Sequence, residues 1–418
     1  MRLSAFGQRF AGPSGIRELM EDLGGALAGT EPVLMLGGGN PSHIPDVQLL
    51  FRQRLRAIAE DPGLFARVVG NYDSPQGDGE FIAALAGLLR REFGWPLTTR
   101  NIVLTHGSQS AFFMLFNLFA GPGPDGRMRR ILLPMTPEYI GYADVGLHDG
   151  LFVAARPRIE LLDDGWFKYR PDFDGLTMTD DVAALCISRP TNPTGNVITD
   201  AELAGLADRA RRQGVPLIVD GAYGLPFPNI VFTEATPSWD DNVVLCLSLS
   251  KIGLPGLRTG IVVASEPVVD ALAGMNAIFH LANNSMGAAL AIDLVRGGDI
   301  LTVSREVVMP YYRDKAVQAC AWLRAELAGL DFRIHRPEGA IFLWLWFPGL
   351  PIDSDELYRR LKRRGVLVIS GRHFFPGLRD EWRHRDECLR LTYAQDGAVV
   401  RDGIRILAEE VRRAYQEG

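Results

Sequence analysis

Four shortages narrow the reading of this chain before any motif is considered. Cysteine is scarce: Cys186, Cys246, Cys320 and Cys388 are spread widely over the 418 residues, three of them in apolar, strand-like or helix-like settings. That spacing argues against a disulfide framework or a zinc site and for free buried thiols in a reducing compartment. No apolar run approaches the ~20 residues needed to span a bilayer. The N-terminus also lacks a charged-then-apolar signal pattern, so the expectation is a soluble, unexported, cytoplasmic protein with no membrane partner. Positive charge is not in excess, since 44 Lys and Arg against 50 Asp and Glu leave a net charge of −6. This argues against a nucleic-acid surface. The arginine-rich pieces (Arg209, Arg211, Arg212 and Arg359 to Arg364) sit at helical spacing and read as solvated faces. The seven histidines show no metal-ligand spacing, so no metal is expected.

What is present is an alternation of apolar strands with amphipathic helices. Strands are expected near 102–104, 131–134, 151–154, 182–187, 215–219, 243–248 and 260–264, with helices such as 110–119 and 200–213 between them. That order predicts an α/β fold with a mostly parallel seven-stranded sheet covered on both faces, its functional residues at the carboxyl ends of strands. The length exceeds one core. A long helical stretch (about 285 to 328) precedes strand-rich segments at 341–347, 366–369 and 389–392, which read as a smaller α+β domain. The expected division is an N-terminal arm with part of the small domain (1–60), a large domain (61–300) and a C-terminal small domain (301–418).

The densest chemistry lies in Ser248-Leu249-Ser250-Lys251, followed by turn residues and Arg258, after the apolar run Val243 to Leu247. A strand end of this kind presents an amine and a phosphate site together. A partly enclosed lysine forms a Schiff base with a carbonyl cofactor, and Ser248, Ser250 and Arg258 are phosphate-holding types. Taken alone, such a segment is more often a surface turn with a solvated lysine, so its partners decide the matter. Upstream, the buried run Pro216 to Val219 ends at Asp220-Gly221-Ala222-Tyr223. A carboxylate there can pair with a pyridine nitrogen and favour the cationic ring, the stronger electron sink. Further upstream are Asn192-Pro193-Thr194-Gly195 after Val182 to Ile187, and His106-Gly107-Ser108-Gln109 opening an apolar helix. The start of such a helix offers N–H groups and a dipole to a phosphate.

In this order and spacing the motifs resemble those of class I/II aminotransferases, which are fold-type I pyridoxal 5′-phosphate (PLP) enzymes. Further stretches along the chain, among them Leu36 to Pro41, Asn71 to Gly77, Pro137 to Asp144 and Pro337 to Phe347, resemble the branch of that family working on valine and pyruvate. The resemblance implies that Lys251 bonds the cofactor and shuttles the substrate's α proton. It implies that Asp220 pairs with the ring nitrogen, that Tyr223 and Asn192 bind the phenolate oxygen, and that Tyr139 stacks on the ring. Gly107, Ser108, Gln109, Ser248, Ser250 and Arg258 would bind the phosphate, with Tyr72 reaching it from a partner subunit of a homodimer. Arg390 would clamp the substrate carboxylate, with Gly39 and Asn192 beside it. The implied reaction transfers the amino group between L-valine and pyruvate, giving 3-methyl-2-oxobutanoate and L-alanine, so the partners are small amino acids and 2-oxo acids. A broader-specificity aminotransferase and a PLP-dependent lyase would share the same core. A PLP-binding regulator should carry a DNA-binding module, and none is visible. Two places depart from the pattern: Gly221, which frees the backbone beside Asp220, and Asn283-Asn284-Ser285-Met286, whose role is open.

Overall fold

The computed structural model describes residues 2–12, 14–28 and 33–417. The first strand, β1 (Leu34–Met35), runs parallel to a short strand near residue 366. The central sheet contains β2 (Ile102–Thr105), β3 (Gly121–Pro122), β4 (Met128–Leu133) and β5 (Phe152–Ala154). A second sheet begins with β6 (Arg158–Leu161) and β7 (Trp166–Arg170). The chain then returns to the centre for β8 (Val182–Ser188), β9 (Leu217–Asp220), β10 (Val243–Ser248) and β11 (Gly260–Val263).

The spatial order of the central sheet is β2-β11-β10-β9-β8-β4, with β3 and β5 both on the far side of β4. All seven expected strands are in it. The two-residue β3, a hairpin edge whose Gly-Pro sequence carries no strand signal, raises the total to eight. Five strands from β10 to β5 run parallel, and β11 is antiparallel to both its neighbours. Successive side chains on a strand point to opposite faces, and this splits the core in two. Ile218, Val244, Cys246 and Val262 face the helices Gly107–Phe119 and Glu266–Phe279. Leu217, Val219, Leu245 and Ile261 belong to the larger cluster on the other side. Because both faces are buried, the strands read as continuous apolar runs rather than alternating ones. All four cysteines are free and buried.

The remaining strands are β12 (Arg333–His335), β13 (Phe342–Trp346), β14 (Val366–Leu367), β15 (Ile369–Ser370) and β16 (Cys388–Thr392). The second sheet has the order β15-β16-β13-β12-β7-β6. It therefore takes two strands from within 61–300: β7 pairs in parallel with β12, and β6 forms a hairpin with β7. Lys168, Arg170 and Glu160 interrupt these strands, so no apolar run announced them. The long helical stretch after 285 is segmented as well. Gly298, at φ 87°, ends the first helix, and a single π turn over Ser304–Val308 precedes Met309–Glu326. Pro310 cannot donate to the carbonyl four residues back, which is where the regular helix gives way. No described helix is long and apolar enough to cross a membrane.

Candidate active site

Strand register aligns the chemistry. Ser188 at the end of β8 lies opposite Asp220 at the end of β9, and Asp220 lies opposite Cys246 in β10, two residues before Ser248. Ser248 pairs with Gly260, and Gly260 with Thr105 just ahead of the helix that begins at Gly107. These carboxyl ends open into a cleft of about 710 Å³. Of the fourteen residues expected at a site, twelve line it: Gly39, Ser108, Gln109, Tyr139, Asn192, Asp220, Tyr223, Ser248, Ser250, Lys251, Arg258 and Arg390.

Lys251 sits in the turn after β10, partly buried, with Nζ donating to the Gly39 carbonyl at 2.6 Å and lying 5.2 Å from the centre of the Tyr223 ring. Burial, then the cationic Arg258 and Arg390, lower its pKa to about 8, against the opposing pull of Asp220. Such an amine is largely a free base in mildly alkaline solution, as a nucleophile or proton acceptor must be.

One end of the cleft is built for an anion. Ser108, in the first turn of the Gly107–Phe119 helix, has a buried hydroxyl oxygen with no hydrogen-bond partner. Arg258 approaches so closely that a Cβ at Gly107 would lie 2.3 Å from its guanidinium, and Gly107 itself has φ 80°. Gly107 thus contributes by leaving room, although it does not line the cleft. Ser248 Oγ accepts the Ser250 N–H at 3.1 Å. Gly260 brings β11 against this loop: a Cβ there would stand 2.5 Å from Thr105 Oγ1 and 2.8 Å from Ser108 N.

The second cation, Arg390 on β16, is 2% exposed. It donates to Asn192 Oδ1 at 2.7 Å and to the Gly37 carbonyl at 2.6 Å, lies 4.1 Å from the centre of the Phe342 ring, and leaves Nε buried without a partner. No carboxylate side chain pairs with it among the described residues. Burial lowers its pKa to about 10, although Tyr223 and Tyr139 pull the other way. A buried guanidinium with unspent donors is an anion site in waiting, and its planar fork matches a carboxylate.

Asp220 accepts from the Tyr142 hydroxyl at 2.7 Å and from Ala222 N at 2.9 Å. Burial raises its pKa, opposed by those two hydrogen bonds and by Lys251. Tyr142 was missed in the sequence, as were Ser188 and Glu138 behind it. The clue was the Pro137 to Asp144 stretch, read for Tyr139 alone. Tyr139 lines the cleft and meets Tyr142 edge-on at 5.5 Å. Gly221 has a reason other than conformational freedom: a Cβ there would stand 3.1 Å from the Cys246 carbonyl and from Leu247, so glycine lets β9 leave the sheet close against β10 while Asp220 stays pinned. The 283–286 stretch is structural, since Asn283 donates to the Pro75 carbonyl and Asn284 caps the following helix. Tyr72 does not join the others; it is 83% exposed and outside the cleft.

The family model for aminotransferase class I and II matches residues 48–406. The chain belongs to this family. It is 49% identical over 417 residues to a valine–pyruvate aminotransferase of Escherichia coli K12, with 100% of each chain covered. A putative amino-acid aminotransferase structure from Psychrobacter arcticum superposes with TM-score 0.97 at 47% identity, covering 100% of both chains. The structure of a valine-pyruvate aminotransferase from Salmonella typhimurium gives TM-score 0.89 at 48% identity, covering 97% of this chain and 100% of that one. Aminotransferases of this family depend on PLP, and the residues here fit it. The unpartnered Ser108 hydroxyl and Arg258 suit its phosphate, Lys251 its aldehyde, and the pinned Asp220 its ring nitrogen.

Proposed function

We propose that this aminotransferase moves the amino group between L-valine and pyruvate, giving 3-methyl-2-oxobutanoate and L-alanine by a ping-pong route. The full-length E. coli relative at 49% identity, named for those two substrates, carries the reading. The cleft supports it: Arg390 is a carboxylate site common to both substrates, and Ile16, Met35 and Ile140 line the same cavity without charge. One methylene changes binding in an apolar pocket by only about 1 to 3 kcal/mol, so neighbouring aliphatic amino acids should overlap with valine.

In the roles assigned here, Arg390 holds the α-carboxylate, with the Asn192 side chain and Gly39 beside it, and so fixes which bond of the α carbon faces Lys251. Bound PLP supplies the electron sink that acidifies the α C–H. Lys251, assigned to cofactor attachment, takes that proton at Nζ and returns it to the α carbon when alanine is made. Asp220 keeps the ring nitrogen charged, Tyr223 and Asn192 serve the phenolate oxygen, and Tyr139 covers the ring. Ser108, Gln109, Ser248, Ser250 and Arg258 hold the phosphate, with Gly107 leaving room for the Arg258 guanidinium. Mixing the PLP form with single amino acids, following loss of its visible absorbance, and then adding pyruvate tests the reaction. Valine must bleach the cofactor and pyruvate must restore it with L-alanine appearing; no alanine from this pair rejects the reading.

The working unit we propose is a homodimer in the cytoplasm, with Tyr72 reaching the partner's phosphate site. Exposed Phe65, Val69, Tyr72, Ile278 and Leu281 support a covered surface, and the free thiols suit a reducing compartment. Mixed dimers of Tyr72→Phe and Lys251→Ala subunits should regain activity through one intact site. The domain division proposed is 1–60, 61–300 and 301–418, with β6 and β7 leaving the middle segment to join the second sheet.

A further inference from the structure

Asp220 is not the only buried carboxyl behind the cleft. Glu138, just after the tip of β4, is 0% exposed, and a chain of oxygens joins the two. Glu138 Oε2 is hydrogen-bonded to Ser188 Oγ, Ser188 Oγ lies 3.3 Å from the Tyr142 hydroxyl, and that hydroxyl lies 2.7 Å from Asp220 Oδ2. Backbone N–H groups also reach each carboxyl: Glu138 accepts from Ser188 at 2.8 Å and has the Tyr139 N–H as a further partner, and Asp220 accepts from Ala222 at 2.9 Å. The chain has three oxygen–oxygen links, yet Ser188 and Tyr142 bring only two hydroxyl hydrogens. If both carboxyls were ionised, each hydroxyl would donate outward, and the Ser188–Tyr142 link would set lone pair against lone pair in the interior. A second buried anion beside Asp220 would add its own desolvation cost. One proton on a carboxyl gives every link a hydrogen.

We propose that Glu138 carries this proton and sets the direction of the chain, Glu138 donating to Ser188, Ser188 to Tyr142 and Tyr142 to Asp220. Asp220 is thereby held as the single carboxylate presented to the cofactor. The inference rests on the assignment of Asp220 to the ring nitrogen. Glu138 acts through its neighbours and does not line the cleft, so it is a positioning residue.

The surroundings favour the proton at Glu138. Burial, with the Asp220 charge pushing the same way, raises its pKa to about 8 even against the hydrogen bonds from Ser188 and the Tyr139 backbone. Asp220 has Lys251 on the cleft side to favour its anion. The other ionisable groups facing the chain are Tyr139, Tyr223, Cys186 on β8 and Cys246 on β10, all with their pKa raised first of all by burial and therefore neutral. A lone proton is thus left to the end remote from the cofactor.

Infrared spectroscopy of the holoenzyme and of the cofactor-free protein at neutral pH tests this. The expected result is a carbonyl stretch from a protonated carboxylic acid that is lost in Glu138→Gln. Glutamine reproduces the pattern, its oxygen accepting from Ser188 N and its amide donating to Ser188 Oγ, so Glu138→Gln should bind PLP within about threefold of wild type. Glu138→Leu removes the donor and should weaken PLP at least about tenfold, the equivalent of one neutral hydrogen bond. Absence of the acid band in wild type, its persistence in Glu138→Gln, or equal loss of PLP affinity in the Gln and Leu variants overturns the proposal. If Glu138→Leu does not fold, the glutamine and infrared arms still decide. Because the band is read without cofactor too, a failure of the Asp220 assignment alone would leave it in place.

Discussion

Replacing Arg390 with lysine keeps the charge and removes the fork, which isolates geometry from electrostatics. The native guanidinium spends one N–H on Asn192 Oδ1 at 2.7 Å and one on the Gly37 carbonyl at 2.6 Å, and still has Nε without a partner. An ammonium has three donors on one atom, and holding the same two carbonyl-type oxygens would leave it one for a substrate. The variant therefore loses one of two charge-assisted hydrogen bonds to the α-carboxylate, worth about 1.5 to 3 kcal/mol. That is a drop of roughly 10- to 150-fold in kcat/KM. Both substrates carry this carboxylate, so stopped-flow measurement of the two half-reactions, valine with the PLP form and pyruvate with the aminated form, should show nearly equal factors. A loss confined to valine would refute the reasoning, because it would tie Arg390 to the side chain. A loss below about twofold in both would remove it from the substrate altogether.

Three further outcomes are expected. Covalent loading of PLP onto the cofactor-free protein should speed up as pH rises through about 8 and then level off, because the free base of Lys251 is the reacting form; a rise continuing toward pH 10 in a pH series of the absorbance change would show an unperturbed lysine. Gly260→Ala should weaken PLP roughly 5- to 150-fold, following the about 1 to 3 kcal/mol of overpacking when a Cβ is forced against Thr105 and Ser108; an unchanged fluorescence titration would mean that the loop yields freely. Asp220→Asn should retain PLP and lose most of the proton-abstraction rate, since the amide cannot stabilise a charged ring nitrogen; near-normal single-turnover rates would reject that role.

The apolar runs at 102–104, 182–187 and 243–248 were legible as strands because a strand buried on both faces has no polar position to hide it. For the same reason Asp220 and Ser248, at the carboxyl ends of the runs at 215–219 and 243–248, could be expected to converge. β6 and β7 were not legible, since charged residues interrupt them and β12, the strand that joins β7 to the second sheet, lies more than 160 residues away. For Tyr72 the motif was legible, and whether its side chain meets the cofactor depends on a surface that a single chain leaves open.

Local chemistry in the sequence determined which side chains could bind a phosphate, bond an aldehyde and charge a ring, because such roles belong to residue types at strand ends and helix starts. Only the tertiary structure decided how those groups are tuned. Arg390 became a buried cation in want of an anion because β16 pairs with β13 and faces the Asn192 loop and Gly37. Asp220 gained its supporting chain because the turn after β4 packs Glu138 and Tyr142 against Ser188 at the end of the neighbouring β8. Charge states in a protein interior follow from burial and from neighbours remote in the chain, and no local run of residues encodes either.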